Sequence, residues 1–523
     1  MQTKTHSAPQ IAIGMDAAAM PNEHSRGRRL AACGVAAALS LSAAGCAVGP
    51  NFHVPPPPPA TGYLRKPLPA RTASAAVAGG APQRFLPSRD IPGDWWTVFH
   101  SPQIDSLVTQ ALRDSPTLAA AQAALRQADE ELAAGRGAFS PAISGSMGAV
   151  REQSSGAAFG SPRTILYSLN SATVNVAYTL DAFGGVRRQV EALRAQAEYQ
   201  RFSMEGAYLT LTSNIVTAAI DEASLGAQID ATRRIATAQR AALAIVRKRL
   251  ALGGASRADV LQQQSVLAAT LASLPALEAA RSQARNLLAA YTGAPPTEFR
   301  AGAIDLASLH LPRDLPVTLP SRLVEQRPDV RAYAALLHAA TAEVGVATAN
   351  LLPHVTLSGA YGGEGVHFSD IFSPASAIWN AAASIGQPIF EGGTLWHTRK
   401  AAIDAAQVAA ANYKATVLTA FRNVADVLVA LEADARSVAA NAVAARSASQ
   451  SLRLVRLQYS TGAASLPQVL LAEQADETAR IALVKTRAQR FADTAALYQA
   501  LGGGWWHRED AESGQNHCCE RSL

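Results

Sequence analysis

The pattern of apolar and polar positions divides the chain into long helical stretches and short alternating ones. The longest helical stretches run from Gly184 to Leu252 and from Gly393 to Ser460, and neither contains a proline. At 1.5 Å per residue, each predicts a helix roughly 100 Å long. Because helices in globular proteins have about 10 to 14 residues, we infer that these two arms cross something wide.

Each arm is the first part of a unit that occurs twice in the chain. A glycine turn follows the first arm, and a shorter helix is predicted from Ser256 to Tyr291, with a kink at Pro275. Marker residues recur about 210 positions apart: Pro116 as Pro328, Pro141 as Pro353, Phe183 as Phe390, Gly253 as Gly462 and Gly293 as Gly502. One duplicated unit therefore fills most of the chain.

The repeat predicts the domain organisation. We expect a first repeat over residues 103–295, a linker over 296–319, a second repeat over 320–503 and a polar tail over 504–523. In each copy one long arm can lie beside two shorter helices placed end to end, as with Ile104 to Gly137, broken near Pro116. Each chain would then supply four helical tracks to a tube.

Between the short and long helices the apolar period changes from 3.6 to 2. Each copy has two such segments, separated by a loop that predicts a β-hairpin: Ile143 to Val150 with Val174 to Leu180, and Val355 to Tyr361 with Trp379 to Ile385. Strands of about 10 residues with one apolar and one small polar face are typical of transmembrane β-barrels. Soluble hairpins packed on helices are the alternative interpretation.

Four strands are too few to close a barrel, and open strand edges are not tolerated in lipid. Two chains would give 8 strands with a filled lumen, and three would give 12 strands with a pore. The small residues on the polar face favour three chains. The predicted fold class is therefore mainly α with a transmembrane β part, in which a long-helix α-barrel continues into a 12-stranded β-barrel shared by three protomers.

The N-terminal segment has the pattern of a secretory signal. The basic stretch Arg26 to Arg29 precedes the apolar run Leu30 to Gly45, so residues 1–45 are predicted to be removed, with Met20 as an alternative start. Cys46 follows small residues, as in lipoprotein signals, and is the predicted lipidation site. The alternatives are lipidation of Cys33 and cleavage without lipid.

Residues 46–102 are predicted to be a lipid-anchored, proline-rich segment. From Gly49 to Pro92 the composition suggests extended polyproline structure leading away from the anchor. The four cysteines of the chain lie only near its ends, with Cys518 and Cys519 in the tail, so the body has no disulfide framework.

Composition argues against nucleic-acid binding and against an enzyme. The chain is 49% hydrophobic but only 6% aromatic, and its net charge of +6 comes from basic residues interleaved with acids along the arms, as on solvated helix faces. Nucleotide-binding, hydrolase and metalloprotease motifs are absent, and the 11 histidines show no metal-ligand spacing. His338 and His397 are predicted to be surface residues, and Arg327, Pro328 and Asp329 to start a helix. We predict neither cofactor nor metal.

Several short motifs fall in the order found in one known family. They are Cys46-Ala-Val-Gly-Pro-Asn-Phe52, Trp95-Trp96, Leu180-Asp-Ala-Phe-Gly184, Arg327-Pro-Asp-Val330, Pro388-Ile-Phe-Glu-Gly-Gly393 and Ala500-Leu-Gly-Gly-Gly-Trp505. The chain thus resembles the TolC-like outer-membrane efflux proteins, in the NodT-type lipoprotein branch, over residues 46 to 505. The resemblance implies a homotrimer in the outer membrane with a periplasmic tunnel. It also implies two partners, a periplasmic adaptor and an inner-membrane pump, most often of the resistance-nodulation-division type.

The resemblance also implies roles for the turns at the far ends of the arms. Both turns resemble the family's tip motifs that meet the adaptor, so the predicted contact residues are Gly253, Gly254, Ala255, Ser256, Gly462, Ala463, Ala464 and Ser465. Glycine is also what any helix-to-helix turn requires. The tips are therefore a hypothesis for the adaptor contact.

A resting-state gate is expected just above the tips. Matching by the tip glycines places Asp259 and Tyr459 where the family links an acid and a tyrosine between the two helix pairs. Gln468 and Leu471 occupy positions that often carry acids in the family. We therefore expect a partly apolar constriction with Leu471 lining it.

Two other functions share parts of this pattern. A passive porin would need the hairpins but not the roughly 100 Å arms. A channel for type I protein secretion would have the same architecture, and only the lipoprotein-like start favours export of small molecules. The sequence does not identify the exported compound.

Overall fold

The computed structural model describes residues 47–60, 62–87, 89–155, 164–300 and 302–508. The helices are α1 (Pro102–Asp114), α2 (Pro116–Arg136), α3 (Gly185–Ala251), α4 (Arg257–Tyr291), α5 (Pro320–Gln326), α6 (Pro328–Ala349), α7 (Thr394–Ser460) and α8 (Leu466–Ala500). The strands are β1 (Arg84–Pro87), β2 (Ala142–Ser154), β3 (Ile165–Leu180), β4 (Asp314–Val317), β5 (His354–Gly365) and β6 (Ala377–Gly386).

The two predicted long arms are confirmed as α3 and α7, each a single helix of 67 residues. Each begins after a glycine in the left-handed conformation, Gly184 at φ 78° and Gly393 at φ 87°. Alanine-rich sequence without proline lets both helices run uninterrupted, since alanine has the highest helix propensity. Among the helices of the described residues, none combines the length and apolar character needed to span a bilayer.

The helices are arranged in four tracks, as predicted. Helix α3 packs against α2 and α4 on one side and against α6 and α8 on the other, while α7 packs against α6 and α8. A proline at position 116 separates α1 from α2, because proline breaks a helix but is tolerated in its first turn. Helix α4 includes Pro275 in its interior, and the kink expected there stays a prediction.

The four predicted strands form one antiparallel sheet in the order β2-β3-β5-β6. Val174 pairs with Tyr361 on the apolar face, and on the opposite face the hydroxyl oxygens of Ser146 and Thr173 lie 2.8 Å apart. Within the described residues, β2 and β6 each pair on one side only. The sheet therefore ends in two unpaired edges.

The expected loop boundaries were too wide. Pairing of β2 with β3 extends to Ser154 and Ile165, so ten of the 20 residues expected in a loop at 151–170 are strand. In the second hairpin β5 continues to Gly365, and the loop contains 3₁₀ turns at Phe368–Phe372 and Pro374–Ser376. The end of β2, residues 151–154, is polar and so lacks the apolar alternation, although strand pairing satisfies the backbone whatever the side chains.

The N-terminal segment, which was predicted to be extended and to lead away from the anchor, packs against the helical body. Strand β1 pairs in parallel with β4, which lies in the expected linker, and Tyr63 donates a hydrogen bond to the carbonyl oxygen of Thr318 at 2.9 Å. The ring of Tyr63 also meets Phe421 of α7 edge to face. We call residues 62–87 the strap, because they lie along the helical body rather than extending from it.

The main core lies where the strap and short helices surround the long arms. Trp95 and Phe99 are fully buried there, with Trp95 stacked on Tyr498 at 5.5 Å between ring centroids. Trp505 is also buried, and its indole nitrogen donates to the carbonyl oxygen of Gln326 at 2.7 Å. Residues 504–508, expected in a polar tail, therefore belong to the packed body, and 509–523 lie outside the described residues.

Candidate functional site: the helical tips and the charged groups above them

The first tip joins α3 to α4 by a compact hydrogen-bonded turn. The N–H of Gly254 donates to the carbonyl of Arg249 at 2.8 Å and the N–H of Gly253 to that of Leu250 at 3.0 Å. This pair of bonds is a Schellman motif, which satisfies the last carbonyls of a helix. Ser256 and Asp259 then form a capping box that starts α4.

The second tip repeats the arrangement between α7 and α8. The N–H of Ala463 donates to the carbonyl of Gln458 at 2.8 Å, and the N–H of Gly462 to that of Tyr459 at 3.3 Å. Ser465 and Gln468 form the capping box of α8. Both tips therefore have the same geometry, as expected for a duplicated unit.

Glycine is required at the tips by backbone conformation and not by crowding. Gly253 and Gly462 have φ of 77° and 80°, and a Cβ at either would meet no atom of the described chain within 4 Å. Leu252, beside the first turn, is 77% exposed. The tips thus present open space and an exposed apolar side chain.

The structure gives two of the predicted gate residues a local role. The carboxylate of Asp259 accepts hydrogen bonds from the N–H and hydroxyl of Ser256 at 2.8 and 2.9 Å. The amide oxygen of Gln468 accepts from the N–H of Ser465 at 2.7 Å. Within the described chain no hydrogen bond joins Asp259 to Tyr459, so the link expected between the helix pairs is not formed in this structure.

Tyr459 instead contacts Arg249 of the other helix pair. The guanidinium carbon of Arg249 lies 4.4 Å from the centroid of the Tyr459 ring. Its two terminal nitrogens lie 3.4 Å from the Tyr459 carbonyl oxygen. Arg249 was not among the predicted gate residues. Its one sequence signal is a cation in the last turn of a helix, where it can meet another helix end.

Leu471 lies on a groove between α4 and α8. The groove has a volume of about 930 Å³, and its lining includes Val266 and Leu470 together with Leu471. Leu471 is 70% exposed. Its exposure agrees with the predicted position in a constriction but does not by itself place it in a pore.

An apolar cluster holds the four helix ends together. Val246 of α3 packs with Leu466 and Val469 of α8, and Val260 and Val455 pack against them from α4 and α7. The two tips are therefore packed against each other in this structure. A contact between the two helix pairs near this cluster therefore affects both tips.

Ion pairs with buried carboxylates lie above the tips. Glu473 pairs with Arg456 at 2.7 Å and Asp476 with Arg480 at 2.8 Å, and the side chains of both acids are less than a tenth exposed. The expectation that charges occupy solvated helix faces is therefore wrong for these acids. The pattern of alternating charge does not distinguish a solvated pair from one buried between helices.

Two carboxyl groups meet between α7 and α8 further from the tips. Burial, followed by a hydrogen bond to Asp493, raises the pKa of Asp434 to about 8. Burial lowers the pKa of Arg490 to about 10, although the nearby carboxylate of Asp434 acts to raise it. Burial and the neighbouring carboxyl group of Asp493 thus both favour the protonated form of Asp434.

Near the sheet, α3 and α6 bind the start of the described chain. Arg188, almost fully buried, donates to the side-chain oxygen of Asn51 at 2.7 Å and to the carbonyl of Val48 at 3.1 Å. Ala47 packs on Gly184, where a Cβ would lie 2.5 Å away. Cys46 and the predicted signal over 1–45 lie outside the described residues.

His338 is not the surface residue that was expected. Its Nε2 lies 2.9 Å from a carboxylate oxygen of Glu191, and its ring stacks on Phe52 at 4.4 Å. Burial alone would raise the pKa of Glu191, but hydrogen bonds from His338 and Arg188 hold it below its usual value. His397 is exposed on α7, as expected. The residues Arg327 to Asp329 do start α6, and Arg327 also donates to the carbonyl of Ala500 at 2.8 Å.

A duplicated unit of long helices and β-hairpins, with paired tips, defines a channel of the outer-membrane efflux class. The family model described as outer membrane efflux protein matches residues 107–294 and 319–503. The chain belongs to this family. It is an outer-membrane efflux channel, and the family is one of channels and not of enzymes.

Known relatives cover most of the chain. It is 30% identical over 421 residues to the pyoverdine export outer membrane protein OpmQ of Pseudomonas aeruginosa, covering 79% of this chain and 87% of the relative. It is 26% identical to nodulation protein T of Rhizobium leguminosarum bv. trifolii, covering 89% and 96%. Among solved structures, the outer-membrane channel OprN matches with a TM-score of 0.79 and 25% identity, covering 88% of this chain and all of that one.

Proposed function

We propose that three copies of this chain form the outer-membrane conduit of a tripartite efflux system. An inner-membrane pump, of the resistance-nodulation-division type, would deliver small molecules through a periplasmic adaptor. The observation that carries the proposal is the union in one chain of a four-stranded sheet and two 67-residue helices, each about 100 Å long. The proposed role is passive conduction, which needs no catalytic step.

The sheet supports the trimer. Its two edges, β2 and β6, carry backbone groups that lipid cannot satisfy, and antiparallel pairing between neighbouring chains would satisfy them. Three chains give 12 strands, enough to enclose a lumen, whereas 8 strands are filled by side chains. Purified protein should therefore have the mass of three chains in detergent. A closed barrel made by one chain would contradict the proposal.

The tips support docking of the adaptor. A bulky residue tests this at Ala463, which is exposed, and not at Gly462, where the positive φ would add backbone strain to any substitution. Ala463→Trp should impair export without reducing the amount of trimer, and Ala463→Ser is the matched control. Normal export by the tryptophan variant would argue against docking at the tips.

A lipid anchor at Cys46 is part of the proposal. The N-terminal segment that follows Cys46 packs where β3 gives way to α3, and Ala47 lies against Gly184, the residue just before α3. Cys46→Ala should abolish labelling by radioactive palmitate while the protein still reaches the outer membrane. Label that persists in this variant would assign the lipid to Cys33.

Efflux itself is tested in a strain that lacks the gene. Susceptibility to a panel of antibiotics, dyes, metals and solvents should rise for the exported class and return to normal on complementation. Unchanged susceptibility across the panel would oppose the efflux function.

In the resting channel we place the constriction above the tips, where Asp259, Tyr459, Gln468 and Leu471 lie.

A further inference from the structure

We propose that Arg249 is the residue that clasps the two helix pairs together at the resting tip, through the ring and carbonyl of Tyr459. The inference rests on the proposed channel function, because it concerns how that channel closes. It departs from the expected acid-to-tyrosine link, since Asp259 is committed to the capping box of its own helix. The clasp joins the end of α3 to the end of α7.

The first support is the geometry of the aromatic contact. The guanidinium of Arg249 lies over the face of the Tyr459 ring, with 4.4 Å from its central carbon to the ring centroid. A cation within about 6 Å of a ring centroid is attracted by the electron-rich face. This attraction uses the ring and not the phenol hydroxyl.

The second support is the position of the Tyr459 carbonyl. Tyr459 is the residue before the last in α7, and its carbonyl oxygen, which accepts the N–H of Gly462 at 3.3 Å in the tip turn, has a second lone pair for another donor. Helix α7 has no basic residue in its own last turn. Arg249 points both terminal nitrogens at this carbonyl, each at 3.4 Å, and so supplies the positive charge that a helix C-terminus attracts.

The third support is that the backbone of Arg249 is fixed. Its carbonyl accepts the 2.8 Å bond from Gly254 that closes the first tip, and Val246, one turn earlier, is buried in the cluster shared by all four helices. The side chain therefore starts from a rigid site. Separation of α3 from α7 at the tips must break the clasp.

The experiment measures single-channel conductance of purified trimers in planar lipid bilayers, where neither adaptor nor pump is present. Arg249→Gln and Tyr459→Leu should each shift the closed-to-open equilibrium toward the open state on the order of 10-fold, since three clasps are lost per trimer. Tyr459→Phe retains the ring and the carbonyl, so it should rescue closure relative to Tyr459→Leu. The matched control is Arg247→Gln, an exposed arginine on the same helix turn.

Each outcome decides the proposal. Opening in Arg249→Gln and Tyr459→Leu, with closure retained in Tyr459→Phe and Arg247→Gln, supports it. Opening in Tyr459→Phe equal to that in Tyr459→Leu would overturn it in favour of a hydroxyl link such as that to Asp259. Wild-type conductance in Arg249→Gln would also overturn it. Native mass and thermal unfolding of each trimer exclude misfolding, and susceptibility of the deletion strain tests the efflux function separately.

Discussion

One buried arginine binds the strap to the helical body at several points, and its removal gives a testable prediction. Arg490 of α8 is fully buried and donates to four acceptors in the strap. The distances are 3.1 Å to the Thr72 hydroxyl, 3.2 Å to the carbonyl of Gly79, 2.9 Å to that of Ala81, and 3.0 and 3.2 Å to the side-chain oxygen of Gln83. Arg490→Met keeps an unbranched apolar stem but removes the guanidinium, so all four acceptors lose this donor.

The cost follows from burial. Each of the neutral acceptors that stays buried without a donor costs about 1 to 3 kcal/mol, because it has lost water as well, so we expect a total of about 3 kcal/mol or more. Since 1.4 kcal/mol is tenfold in an equilibrium constant, opening of the strap should rise by about 100-fold or more. The global fold retains its other core contacts, so we expect local opening before unfolding.

Limited proteolysis measures this opening. Trypsin should cut after Arg71 or Arg84 at a rate that follows the open population when closing is fast. Lys485→Met is the matched control, because it removes an exposed basic residue, and one tryptic site, from the same helix. Cleavage of Arg490→Met within twofold of this control would refute the assigned role of the arginine.

The remaining predictions concern pH, the tips and the gate. The pKa of Asp434 is raised to about 8, so its contribution to stability is present at low pH and is lost as pH rises from about 4 through 8. Between pH 5 and 8 the melting temperature of Asp434→Asn should therefore fall less than that of the unmodified protein. Equal changes of melting temperature with pH in the two proteins would contradict this. Gly462→Ala should destabilise the folded protein by about 1 to 2 kcal/mol, because φ is positive there. Gly206→Ala, inside α3, should stabilise it by about 0.5 to 1 kcal/mol. Shifts of the melting temperature in the same direction for both variants would exclude the backbone explanation. Leu471→Ser should raise conductance in lipid bilayers if the constriction is partly apolar, and no change would remove Leu471 from the gate.

Local sequence pattern determined the regular elements. The periods of 3.6 and 2 predicted the long helices and the strand segments to within a few residues, except in the first hairpin, where the strands continue to Ser154 and back to Ile165. The glycines at 253 and 462 marked both tips, because a helix end needs a left-handed residue there. These features depend on neighbours in the chain, so the sequence alone was sufficient.

Only the tertiary structure decided which charged and polar residues are buried and what they bind. Arg490 and Gln83 are 407 residues apart in the chain, and Arg249 and Tyr459 are 210 apart, yet each pair is in contact. No periodicity carries such information, because it depends on how two distant helices face each other. The strap also lacks a repeating pattern, so its composition suggested an extended segment. Its few large apolar residues and its backbone carbonyls contact their partners only on the assembled helices.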